Sequence, residues 1–385
     1  MKITFVTDTY APQPNGVATT LQRLVHGLRD RGNEVDVIRP AVLACEEEGM
    51  KVPSVSLPGY PEVRVGLPIR LILQAKWYRR RPDVIYVATE TPLGASAINA
   101  ARALRIPVAS GFHTNFQQYM AHYQLPLLER ATMRYLRHVH NRSHCTFVPS
   151  SDVIAELDRQ GFENLELLPK GVDTKLFSPK QRNLLMRKRW GAGEGGMVGL
   201  YVGRIAAEKN LPLVVKTFTE LQRRFPDFRG VFVGDGPKLA DLKLQHPEFI
   251  YAGVRFGDDL VRHYTWADIF VFPSLTETFG NVTLEAMASG LGVIAFDYAA
   301  ARQHIVNGEN GFTVPFGDED AFIEAAVEAL RNEELASVRE EARKSARKVR
   351  WKKVVKRFEN RLKDLIRRQS PEKADPLEFE PAEAA

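Results

Sequence analysis

Cysteine is nearly absent: Cys45 and Cys145 are the only two in 385 residues. They fit neither a metal spacing nor a CxxC pair, and a disulfide framework needs more of them, so a reducing cytoplasm is the expected setting. Long apolar runs are missing as well. No stretch of about 18 apolar residues occurs, and MKITFVTDTY lacks the basic-then-apolar order of a signal peptide. Neither export nor a transmembrane helix is therefore expected, and any membrane contact would be peripheral, on the cytoplasmic face.

Several cofactor signatures are also lacking. A dinucleotide-dependent oxidoreductase should show GxGxxG after its first strand and an acid about 20 residues further on, and TDTYAPQPNGVATT supplies neither. The P-loop pattern GxxxxGK[ST] is absent, and GDGPKL is too short to replace it. Asp258 and Asp259 stand at an expected helix start, where acids are common caps, so they do not read as a metal-binding DxD. No metal and no cofactor are predicted. Nothing resembles a nucleic-acid-binding module.

What is present is a globular balance of 44% apolar and 26% charged residues, in a chain longer than one core usually supports. Two domains are expected. The net charge of +6 favours an anionic partner, which by charge alone could be a phosphate-bearing substrate, lipid headgroups or nucleic acid.

The pattern along the chain is α/β. KITFVTD reads as a strand, VATTLQRLVHGLRDRG as a helix and EVDVIRP as a strand; similar units follow at PDVIYVAT, PVASGFHT and CTFVPS. A second series starts at MVGLYVGR and runs through LPLVVKTFTELQRRFP, GVFVGDGP, DIFVFPS and NVTLEAMASG to GVIAFD, with Gly290 closing the short helix. This predicts an N-terminal domain over 1–170 and a C-terminal one over 171–350, each a parallel sheet wrapped by helices. Residues 343 to 368 hold 13 Lys/Arg against Glu359 and Asp364, with apolar residues at helical intervals, so one long basic amphipathic helix is expected there. Its last part spans 351–368. The Pro- and acid-rich tail, 369–385, reads as disordered.

SLTETFGNVTLEAMASG places Glu277 in a loop after a strand and Glu285 about one turn into the next helix. Such acids accept hydrogen bonds from sugar and ribose hydroxyls, while free N–H groups near Gly280, Asn281 and Val282 suit a diphosphate. The helix dipole alone also favours an early acid, so the neighbouring motifs decide. VGRIAAEKN brings Arg204 and Lys209 to another strand end, where two cations can stabilise a departing diphosphate. GFHTNF sets His113 at a third strand end, and Gly16 opens a helix where a substrate can approach the backbone closely.

Together these motifs resemble glycosyltransferase family 4, over nearly the whole chain. ETFGNVTLEAMASG has the family's Glu, seven residues, Glu pattern, and FHTNFQQY and FDYAAARQHI are similar to the branch of GDP-mannose-dependent mannosyltransferases and glycolipid synthases. The resemblance implies the GT-B fold: two facing Rossmann-like domains with parallel sheets, and a C-terminal helix, 351–368, crossing back to pack on the N-terminal domain. It implies a retaining hexosyl transfer from a nucleotide-sugar substrate, with GDP-mannose the first choice and a UDP-hexose the second, to a lipid or glycan acceptor. By the same resemblance Arg204 and Lys209 hold the donor diphosphate with Gly16 nearby, and Glu285 holds the ribose. Glu277 and the backbone from Phe279 through Gly280 and Asn281 to Val282 hold the hexose, and His113 meets the sugar at the reaction centre. One departure stands out: where many members have a Gly-rich turn, this chain has Tyr298, Ala299, Ala300, Ala301 and Arg302.

No second carboxylate nucleophile is evident in the first domain, which favours a front-face route over double displacement. PIRLILQAKWYRRR (68–81) and LLERATMRYLRHVHNR combine apolar and basic residues, as surface helices lying on an anionic membrane do and as ordinary helices with a core face also do. A soluble sugar acceptor, a sugar-nucleotide epimerase and a non-enzymatic basic scaffold are the alternative readings.

Overall fold

The computed structural model describes residues 1–13, 15–41, 49–57, 60–113, 126–182, 184–193 and 195–369. Cys45, the expected tail from 370 onward and positions 114–119 of FHTNFQQY lie outside these residues. In chain order the strands are β1 (Lys2–Val6), β2 (Glu34–Pro40), β3 (Met50–Val52), β4 (Ser54–Leu57), β5 (Tyr60–Gly66), β6 (Val84–Val87), β7 (Val108–Gly111), β8 (Cys145–Val148), β9 (Leu165–Leu167), β10 (Val198–Val202), β11 (Arg229–Val233), β12 (Ile250–Gly253), β13 (Ile269–Phe272), β14 (Gly292–Phe296) and β15 (Phe312–Val314). Every residue of β6, β7, β8, β10, β13 and β14 is buried. Continuous apolar runs of this kind belong to parallel strands covered on both faces.

A seven-stranded sheet has the order β3-β2-β1-β6-β7-β8-β9 and a six-stranded one the order β12-β11-β10-β13-β14-β15. All pairings in both are parallel; among the described residues only the hairpin β4–β5 is antiparallel. The strand order reverses between β1 and β6 and again between β10 and β13. At such a switch the following loops diverge and leave a crevice at the carboxyl ends, where ligands of this architecture bind. At some helix starts a side chain satisfies one of the first free N–H groups: Asn15 accepts from Ala18, Ser150 from Val153 and Asp318 from Ala321.

Helices Arg70–Arg79 and Pro92–Ala103 cover one face of the first sheet, with Leu73, Trp77, Ala97 and Ile98 buried. The opposite face is covered by Gly16–Arg29 and by Trp351–Gln369, which follows the whole second half in sequence. Its Phe358 is fully buried against Phe5, Tyr86 and Phe147, with ring centroids 6.2, 5.0 and 5.1 Å away. Removing one such side chain from water is worth about 2–3 kcal/mol. Glu359, also buried, accepts from Arg31 Nε at 2.5 Å and Asn33 Nδ2 at 3.1 Å and pairs with Lys363 Nζ at 2.9 Å. Burial opposes its charge, yet the hydrogen bonds from Lys363, Asn33 and Arg31 prevail and hold the carboxyl at about 2.

The single basic helix expected over 343–368 is in fact two, Leu335–Ala346 and Trp351–Gln369. Between them the chain leaves the helical path: the Val172 N–H donates to the Val349 carbonyl at 3.0 Å, and Val172 pairs with Arg350 as an isolated parallel bridge. The outgoing and returning crossings between the lobes thus satisfy each other's backbone, which a continuous helix would forbid. Gly171 permits this approach, since a Cβ there would stand 2.8 Å from the Trp351 nitrogen.

Candidate active site

In the second lobe, the loop after β10 carries Arg204 and then a short 3-10 turn, Ala207–Lys209, ended by Asn210 in the left-handed region. The Tyr201 hydroxyl donates to the Arg204 carbonyl at 2.9 Å, fixing the loop from below. Lys209 Nζ lies 2.5 Å from Glu277 Oε1 and 3.2 Å from the Thr276 carbonyl. Ser274 Oγ donates to the same Glu277 oxygen at 3.0 Å, and the Tyr298 hydroxyl to the Glu277 carbonyl at 2.9 Å. Arg204 is ion-paired with buried Glu208 at 3.5 Å and keeps about a third of its side chain exposed (37%). The loops after β10 and β13, on the two sides of the switch, are thereby locked together through one part-buried ion pair. A cation and an acid held this way need little reorganisation when a ligand arrives.

Helix Asn281–Ser289 follows at once, with Gly280 at φ +89° as its N-cap and Gly290 at φ +76° as its C-cap. Both angles favour glycine, and the first leaves the opening N–H groups of the helix at the crevice. Glu285 accepts from the Tyr264 hydroxyl at 3.0 Å. Burial raises its carboxyl to about 7, and the Tyr264 hydrogen bond only partly offsets this. Phe279 offers only its backbone to a ligand: its ring is buried beside His304, and its carbonyl accepts from the Ala300 N–H at 2.8 Å. Across the crevice Gly16 faces this helix, for a Cβ built on it would meet Asn281 Nδ2 at 3.4 Å. The buried Asn281 Oδ1 has no hydrogen-bond partner among the described residues.

His113 stands just after β7. Its Nε2 is 2.7 Å from the Tyr86 hydroxyl, and its buried Nδ1 has no partner among the described residues. Burial, with help from the charges of Lys170 and His140, lowers the imidazole to about 3, so it is neutral at physiological pH. What it can offer is therefore a hydrogen bond rather than a charge. Lys170, buried on the crossing between the lobes, lines a small cavity with His113 and feels the charge of Glu277 from the other lobe. The lobes also touch directly: Asp152 Oδ1 pairs with Arg302 Nη1 at 2.8 Å, and its Oδ2 accepts from the Ala299 N–H at 3.1 Å. Ala299 sits at φ +52°, a left-handed conformation that costs a non-glycine residue about 1 kcal/mol. The turn keeps a glycine-like backbone although the glycine is gone.

Of the residues singled out in the sequence, Lys209 and Glu277 meet in one ion pair, with Gly280 beside Glu277, and Gly16 of the first lobe approaches Asn281. His113 lines a separate small cavity with Lys170, Arg204 pairs with Glu208, and Glu285 accepts from Tyr264. Asp258 and Asp259 lie in the first turn of helix Gly257–Trp266, where the helix dipole favours acids, but neither caps it, since the N-cap is Phe256 and no side chain bonds there. No local pattern marks Tyr86, Tyr264 and Ser274, which hold these groups, or Lys170. Each tyrosine sits in an ordinary strand or helix pattern, and only the fold brings it to its partner.

Residues 14–176 match Glycosyltransferase Family 4, and residues 196–332 match Glycosyl transferases group 1. A GDP-mannose-dependent alpha-mannosyltransferase of Mycobacterium tuberculosis is 31% identical over 343 residues, covering 86% of this chain and 89% of the relative. The chain belongs to glycosyltransferase family 4. This glycosyltransferase is also similar to an alpha-monoglucosyldiacylglycerol synthase of Acholeplasma laidlawii, 28% identical over 87% of the chain and 89% of the relative. Among solved structures, Anabaena HepE in complex with UDP-glucose has a TM-score of 0.75 at 18% identity, covering 94% of this chain and 100% of that one. The enzyme therefore has the GT-B fold, as its two parallel sheets already indicate.

Proposed function

We propose that this enzyme transfers a hexose from a nucleotide-diphosphate sugar, with retention of anomeric configuration, to an acceptor carried on a lipid. GDP-mannose is the first candidate donor and a UDP-hexose the second. The observation that carries the reading is the Lys209–Glu277 ion pair beside the N-terminus of helix Asn281–Ser289, which Gly16 of the first lobe approaches. Two cations and a helix N-terminus suit a diphosphate, and the acids beside them suit hydroxyls. In this reading the division 1–170 and 171–350 separates an acceptor-side domain from a donor domain.

Arg204 and Lys209 neutralise the diphosphate as the C1–O bond breaks and its electron pair passes to the phosphate oxygen. Glu285 accepts from the ribose, while Glu277 and the backbone of Phe279 to Val282 hold the hexose. His113, being neutral, hydrogen-bonds the sugar at the reacting face. The acceptor oxygen forms its bond to C1 on the face the diphosphate leaves and gives its proton to that phosphate oxygen. Supporting this front-face route, two first-lobe carboxylates at the same sheet edge are engaged already. Asp8 accepts from Thr89, Thr91 and the Gly66 N–H, and Glu90 pairs with His140 at 3.2 Å.

The lipid acceptor is supported by the synthase relative and by two basic surfaces. Helix Arg70–Arg79 buries Leu73 and Trp77 but exposes Leu71, Ile72 and Tyr78 beside Arg70 and Arg79. Arg130, Arg134, Arg137 and Arg159 line an open groove with Met133 and Phe162. Such a surface should hold anionic vesicles less tightly as salt rises. A donor panel read by released nucleotide, with and without a lipid extract, tests the whole reading. GDP-mannose or a UDP-hexose should turn over and the extract should accelerate it; a soluble sugar accelerating it instead would replace the lipid acceptor, and no nucleotide release from any donor would sink the reading.

A further inference from the structure

We propose that Lys170 is a further ligand of the donor, its ammonium receiving the distal phosphate of the leaving nucleoside diphosphate as a third cation beside Arg204 and Lys209. The inference rests on the donor site proposed above. Lys170 is only 8% exposed, and its side chain makes no hydrogen bond or ion pair among the described residues. A buried cation without a partner is unfavourable unless an anion joins it. Glu277 lies within electrostatic reach but gives its Oε1 to Lys209 and Ser274. The other neighbour, His113, is neutral and offers no counter-charge. Lys170 thus lies beside His113 of the first lobe and within electrostatic reach of Glu277 of the second, with no hydrogen-bonded counter-ion among the described residues.

Its place on the chain strengthens the case. Lys170 precedes by two residues Val172, whose backbone pairs with Val349 and Arg350 on the returning crossing. A cation fixed at this paired crossing keeps its position as the lobes close on the donor. Burial lowers the ammonium to about 8, while Glu277 limits the drop; a bound phosphate would restore its preference for the charged form.

The test is calorimetric titration of GDP, UDP, GMP and UMP into the wild-type chain and into Lys170→Met, Lys170→Gln and Lys170→Arg. Two neutral variants are used so that poor folding of one leaves the other to be read. In the neutral variants the preferred diphosphate should bind about tenfold more weakly while its monophosphate changes less than about twofold, and Lys170→Arg should restore most of the loss. A merely structural role would weaken both nucleotides alike, and that result overturns the inference. If the wild type binds a diphosphate and the neutral variants bind it equally well, the inference fails alone. If the wild type binds neither diphosphate, the donor-site reading falls and takes the inference with it.

Discussion

The two sheet edges that face each other across the crevice carry opposite kinds of chemistry. On the second lobe the functional groups are charged and mutually bound: Lys209, Glu277, Ser274 and the Thr276 carbonyl form one tight cluster. The first lobe presents a neutral imidazole anchored on Tyr86, with its carboxylates already occupied. The difference divides the work. In the proposed reaction one edge stabilises charge on the departing group and the other orients the sugar and its acceptor.

The most severe way to break this comparison is Lys209→Met, which removes a leaving-group cation and strands Glu277. It should lower kcat by about 10²–10³ with the fold intact, read by nucleotide release and a thermal melt. His113→Ala should have a smaller effect, about tenfold to a hundredfold on kcat, with donor affinity nearly unchanged. Were the donor dissociation constant to rise by as much as kcat falls, the first edge would be a donor-binding edge too.

The returning helix supplies the third test. The Glu359 carboxyl is held at about 2, below its ordinary range, so its contribution to stability is present above the ordinary pKa near 4.3 and is lost as pH falls toward 2. Discounted for the part-exposed Arg31 and Lys363, Glu359→Gln should lose about 2 kcal/mol at pH 7, the gap in Tm narrowing below pH 4. Glu285 has the opposite sign. Its carboxyl is raised to about 7, so the folded state binds that proton more tightly, and stability falls as pH rises from the ordinary carboxylate range toward 7. Donor affinity should move the other way, increasing by roughly tenfold as the acid ionises. That step should persist in His113→Ala and vanish in Glu285→Gln; a step that disappears with His113 would assign it to the wrong edge.

The contrast also explains what the sequence disclosed. The second-lobe site is compact in the chain: Glu277, Gly280 and Glu285 share one strand-loop-helix segment, and Arg204 and Lys209 share one loop. Local motif reading finds such groups. His113 was visible only as a histidine after a strand, and its neutrality depends on burial and on Lys170, far away in sequence. Tyr86 and Tyr264 reach their partners from 27 and 21 residues away. Periodicity located the main strands and helices but ran two basic helices together over 343–368. The break at 347–350 is set by a backbone partner, Val172, that no local pattern contains.

Phe358 has a consequence for how the molecule comes into being. On the ribosome the first half emerges long before the aromatic ring that fills the space between Phe5, Tyr86 and Phe147. Until then that half exposes the greasy floor later covered by helix Trp351–Gln369, and it is completed only after the whole second half has been made. The first lobe is thus born early but completed only after the second, and cutting the gene between its halves would release a fragment missing its own keystone.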